Sequence, residues 1–98
     1  MKLINLVYDD ELDEADVLEV PDYIADNIEY YVMEFNGWLF DPENRQRFLA
    51  PYKGRMELAI GTEEFVWWLN CYHASEKEAS TIIGQHTSLR HGLPVAYF

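Results

Sequence analysis

Leu3, Ile4, Leu6, Val7 and Tyr8 form a short apolar run with β-branched and aromatic members. The run is too short for a helix and reads as a buried strand. The next eight residues, Asp9-Asp10-Glu11-Leu12-Asp13-Glu14-Ala15-Asp16, show no apolar period and repel one another. They read as a solvated loop. Beyond Pro21 the pattern changes. Ile24, Ile28, Tyr31, Val32, Phe35 and Leu39 recur at spacings of three or four, the single stripe of an amphipathic helix. Pro21 suits a first helical turn, and Asp22 and Asp26 face the positive end of the helix dipole. Asp41-Pro42 stops the helix, because proline cannot continue it. The predicted span is about residues 21–39.

Arg47-Phe48-Leu49-Ala50 and Arg55-Met56-Glu57-Leu58-Ala59-Ile60 flank Pro51-Tyr52-Lys53-Gly54. Met56, Leu58 and Ile60 alternate with Glu57 and Ala59, which is the period of a half-buried strand. A linker containing Pro and Gly between two such runs predicts a hairpin. Thr62 is a good N-cap, with Glu63 and Glu64 in the first turn. Phe65, Trp68, Leu69 and Tyr72 then define a second helix over about residues 62–74. Ala79-Ser80-Thr81-Ile82-Ile83 is β-branched and reads as a strand, although Ser75-Glu76-Lys77-Glu78 also fits a capping box. Gln85 to Gly92 reads as loop. Leu93 to Phe98 reads as a terminal segment that Pro94 confines to an edge. The predicted order is β-α-β-β-α-β. This is one α+β domain, with a small mostly antiparallel sheet and two helices packed on one face. The predicted common core is Ile28, Val32, Phe35, Leu58, Ile60, Trp68 and Leu69.

The chain has 98 residues, 49% of them hydrophobic and 15% aromatic. That apolar content separates it from disordered acidic chains, which lack core material. Its formal net charge is −11. Residues 1–44 carry 13 acids and one base, Lys2, while residues 45–98 carry 5 acids and 6 bases. The excess charge therefore sits in the N-terminal half. An acidic chain repels phosphate backbones and anionic membrane surfaces, so direct nucleic-acid or membrane binding is not expected. No apolar run approaches the ~18 residues of a membrane span, and the N-terminal run is too short for a signal peptide. A cytoplasmic protein is the expectation. Cys71 is the single cysteine and forms no internal disulfide.

Candidate chemistry is sparse. Asp9, Glu11 and Asp13 alternate like the start of a calcium loop. The positions that would need glycine and a closing glutamate hold Glu14 and Val20. Cys71, His73, His86 and His91 lack the spacing of a zinc site. A Cys71–His86 nucleophilic pair would need a third, orienting group. The five glycines are isolated, so no phosphate-binding loop is present. No cofactor, metal or catalytic residue is expected.

Two features remain. Asp9, Asp10, Glu11, Asp13, Glu14, Asp16 and Glu19 fall within eleven positions with no base among them. Trp67 points away from the inward face of the second helix, and Tyr30, Met33 and Trp38 lie off the stripe of the first. Acidic patches speed association with basic surfaces, and exposed aromatic residues make binding hot spots. The sequence thus predicts a non-enzymatic interaction protein. Its partner is basic, such as a nuclease or nucleic-acid-binding protein, in the manner of an inhibitor, immunity protein, antitoxin or DNA mimic. Two alternatives stand beside it: a small metal-binding or Cys/His-dependent enzyme domain, and a structural subunit of a homo-oligomer.

Overall fold

The computed structural model describes residues 1–7, 14–74, 78–88, 90 and 92–98. Among them are ten elements. In chain order these are β1 (Lys2–Val7), β2 (Glu14–Val20), α1 (Asp22–Ala25), α2 (Ile28–Leu39), α3 (Pro42–Gln46), β3 (Leu49–Tyr52), β4 (Arg55–Leu58), α4 (Thr62–Tyr72), β5 (Thr81–Ser88) and β6 (Val95–Tyr97). The fold is α+β. A four-stranded sheet runs in the order β5-β2-β1-β6, and β3 and β4 form a separate two-stranded sheet. The β1–β2, β2–β5 and β3–β4 pairs are antiparallel, while β1–β6 is parallel. No helix among the described residues is long and apolar enough to cross a membrane.

The predicted elements occur in the predicted order, and the structure adds β2 and α3. Residues 14–16, read as part of a solvated loop, instead open β2, which pairs with β1 on one side and β5 on the other. Ala15 to Leu18 and Val20 are buried. A strand buried on both faces loses the alternation by which strands are recognised. β5 also extends past the predicted strand end, through Gln85 to Ser88. Gly84 sits inside it, where the pairing with β2 shifts register.

Strand periodicity sorts the sheet's side chains onto two faces. Ile4 and Leu6 from β1, Leu18 and Val20 from β2, and Ala96 from β6 join the helices in the main core. Ile24, Ile28, Val32 and Phe35 supply the stripe of the first helical region, and Phe65, Trp68 and Leu69 supply that of α4. Phe35 is the hub. Its ring lies 5.4 Å from Trp68, 5.5 Å from Phe65 and 5.8 Å from Phe98. The opposite sheet face carries Asn5, Val7, Ala15 and Val17, all buried. β5 and β6 occupy opposite edges, so the chain joining them must cross the sheet. Asn5 anchors that crossing. Its Nδ2 donates to the Arg90 carbonyl at 3.0 Å, and its Oδ1 accepts from the Arg90 N–H at 3.3 Å. These two bonds satisfy a buried amide that would otherwise destabilise the fold by about 1–3 kcal/mol.

The predicted first helix is divided. Asn27 leaves helical geometry at φ −132°, and its Nδ2 donates to the Tyr23 carbonyl at 3.0 Å. Asparagine competes with helical hydrogen bonding in this manner. α3 follows from Asp41, whose carboxylate accepts from the Glu43 N–H at 3.0 Å, with Pro42 in the first turn. The β3–β4 hairpin turns at Lys53 and Gly54, with φ of 48° and 80°. Two positive φ values give a turn whose twist matches the strands. The turn is therefore shorter than predicted, and Pro51 lies within β3 opposite Met56.

The predicted core needs one correction. Leu58 is 45% exposed, because the hairpin stands outside the helix–sheet sandwich. Ile60, just past it, is partly buried against the core.

Candidate partner-binding surface

The sequence-predicted surface residues meet different fates. Asp9, Asp10, Glu11 and Asp13 lie outside the described residues, as does most of the calcium-like pattern. Glu14 is exposed at the start of β2. Glu19 is half-buried between Leu3 of β1 and Thr81 of β5. Asp16 requires a correction. It is buried, and its carboxylate accepts a short hydrogen bond from the Thr62 hydroxyl at the start of α4. Forty-six residues separate the two. Asp16 thus joins β2 to the start of α4 and presents little of its side chain to solvent. The N-cap is Gly61 rather than Thr62, and its N–H donates to the Glu64 carboxylate at 3.1 Å.

Trp67 is 40% exposed, as its position off the inward face implied. It is not isolated. Its ring lies 6.1 Å from Trp38 and 5.9 Å from Phe48, so α4, α2 and the chain entering β3 share one aromatic seam. Beside this seam runs a groove of about 720 Å³ between α2 and α4. Tyr30, Met33, Glu34, Gly37 and Trp38 line it from α2, and Trp68, Tyr72 and His73 line it from α4 and its end. Tyr72 was expected inward but is 55% exposed along this groove. The buried residues of α4 are Thr62, Phe65, Trp68 and Leu69, so its inward stripe ends before Tyr72. Tyr72 lies 5.9 Å from Trp38 and 6.1 Å from Trp68.

Several contacts fix the groove's walls. The Tyr23 hydroxyl donates a short hydrogen bond to the His73 carbonyl, tying α1 to the end of α4. The His73 ring packs 4.8 Å from Trp68 and 4.9 Å from Tyr31. Asn70 binds both the N–H (2.7 Å) and the carbonyl (3.0 Å) of Ser80, which fastens α4 to the approach of β5. The Trp68 indole nitrogen is buried without a hydrogen-bond partner among the described residues. On the rim, the Tyr30 hydroxyl donates to Glu34 Oε1 at 2.6 Å. That bond to a carboxylate holds the Tyr30 phenol above its ordinary pKa.

Cys71 is exposed on α4, and the His73 ring is engaged with Tyr31 and Trp68. His91 and the His86 side chain lie outside the described residues, so the zinc-like set and the Cys71–His86 pair fall partly outside them. No family model, curated protein or solved structure matches the chain.

The sequence put Tyr30, Met33 and Trp38 off the stripe of the first helix and Trp67 off that of the second but did not join them. Glu34 and Gly37 were not singled out, and His73 was weighed only as a metal ligand. Their spacing of three or four along α2 (Tyr30, Met33, Glu34, Gly37, Trp38) is a second helix face, and that face was the available clue.

Proposed function

We propose that this chain is a cytoplasmic, non-enzymatic binding protein for a basic partner protein. The observation that carries the reading is the aromatic groove between α2 and α4, with Glu34 in its wall, on a chain of net charge −11. Tryptophan and tyrosine dominate binding hot spots, since a rigid ring buries much area at little entropic cost. Negative charge raises the encounter rate with basic surfaces and disfavours acidic competitors. A nuclease or other nucleic-acid-binding protein presents such a surface. The acidic run from Asp9 to Glu14 acts in this reading by steering.

The test is affinity capture from the native host, followed by association kinetics with the captured protein at two ionic strengths. The partner is expected to be basic, and its association to slow with added salt. A variant with Asp9, Asp10, Glu11, Asp13 and Glu14 changed to Asn or Gln should associate more slowly and with a flatter salt dependence. An acidic partner, or rates indifferent to salt, would overturn the reading.

One observation favours a second reading, a homo-oligomer. Leu49, Met56 and Leu58 lie on one exposed face of the β3–β4 hairpin. An isolated two-stranded sheet is marginal in water, and a second copy would cover that face. Sedimentation equilibrium across a concentration series decides this reading, and a single mass equal to the monomer removes it.

A further inference from the structure

We propose that the groove between α2 and α4 receives an arginine side chain of the partner, the guanidinium against the Trp38 and Tyr72 rings with Glu34 as its counter-ion. This deepens the reading of the chain as a binder of basic proteins and rests on it. Three observations converge on the groove. Its walls are aromatic, with Trp38 and Tyr72 in ring contact at 5.9 Å. Aromatic faces attract cations, and the planar, weakly hydrated guanidinium stacks on them better than an ammonium does.

The second observation is Glu34. One carboxylate oxygen accepts from Tyr30, while the other makes no hydrogen bond among the described residues. Nor does Glu34 form an ion pair with any described lysine or arginine. A carboxylate beside an aromatic wall, with one oxygen open, is complementary to the donors of an arginine fork.

The third is Gly37. It lies inside α2, where glycine is a poorer helix former than alanine. A Cβ built there would meet nothing within 4 Å, so packing does not call for glycine at this position. It leaves bare backbone in the groove wall beside Met33 and Trp38, where a large side chain would project into the groove.

The test uses the intrinsic tryptophan fluorescence of the full chain, titrated with three blocked tetrapeptides of arginine, lysine and citrulline. Arginine should give a saturable change, lysine a several-fold weaker one, and citrulline, which keeps the shape without the charge, none. Glu34→Gln should weaken the arginine peptide by about tenfold, the scale of a charge-assisted hydrogen bond. Gly37→Leu should abolish binding while the thermal midpoint is kept or raised. Equal affinity for arginine and lysine, unchanged in both variants, would overturn the groove as an arginine site. It would leave the wider reading intact as diffuse attraction. Absence of any saturable change with the arginine peptide would overturn the proposal too. Salt-dependent association with a captured basic protein would then still stand or fall by its own measurement.

Discussion

The β1–β2 pair and the β3–β4 hairpin are both short antiparallel ribbons rich in apolar side chains, yet they end in opposite environments. β1 and β2 are sandwiched between the helix layer and the crossing that leads to β6, and both of their faces are buried. β3 and β4 pair only with each other, and Leu49, Met56 and Leu58 face outward. The alternation of the hairpin is the cleaner of the two. Local pattern therefore reports that a ribbon can form, while burial depends on what else packs against it. The two regions should respond very differently to the same kind of perturbation.

The largest expected effect is at Phe35, the hub of the helix–sheet core. Phe35→Ala should destabilise the chain by about 3–5 kcal/mol through lost burial and a cavity. Leu58→Ala in the exposed hairpin should cost below about 1 kcal/mol. Chemical denaturation followed by far-ultraviolet circular dichroism measures both. Similar losses would mean that the hairpin is part of the cooperative core.

A smaller contrast concerns two carboxylates. Asp16→Ala removes a buried hydrogen bond from the Thr62 hydroxyl and should cost about 1–3 kcal/mol. Glu57→Ala breaks only a surface pair, with Arg55 at 2.8 Å, and should cost about 0–1 kcal/mol. Urea midpoints of the two variants give the comparison directly.

Gly37→Ala should stabilise α2 by about 1 kcal/mol, the propensity difference in a helix interior, because the added methyl meets no neighbour. A thermal midpoint that falls instead would reveal a packing role for the bare backbone.

The smallest effect is a titration. Tyr30 is held protonated by its bond to Glu34, so its folded pKa lies above that of an ordinary tyrosine. A group raised in this way contributes stability that is fully present below the unfolded value. That stability is lost as pH rises through the folded value. Glu34→Gln should move the Tyr30 phenol back toward the ordinary range in an ultraviolet absorbance titration. An unchanged titration curve would place the Tyr30–Glu34 bond outside the solution structure.

Much of this architecture was legible from local pattern. The stripe from Ile24 to Leu39, the helix from Thr62 and the hairpin around Pro51–Gly54 each follow from contacts within a few positions, and each is found, the first helix divided at Asn27 and the turn shortened to Lys53-Gly54. β2 was hidden because acids at Glu14, Asp16 and Glu19 interrupt its apolar residues. The partner that accommodates Asp16 there, Thr62, is distant in sequence.

By itself, then, the sequence determined the helix stripes, the hairpin, the placement of charge in the N-terminal half and the α+β class. All of these depend on residue type at short spacing, where backbone geometry allows few answers. Tertiary structure alone decided that Asp16 is a buried anchor for Thr62, that Asn5 binds the chain crossing the sheet, and that Leu58 stays in water. It also decided that Tyr30, Glu34, Trp38 and Tyr72 share one groove. Each of these outcomes joins residues that only the packing of separate elements brings together. Short-range periodicity shows which face of an element is apolar, but what meets that face is set by the fold as a whole.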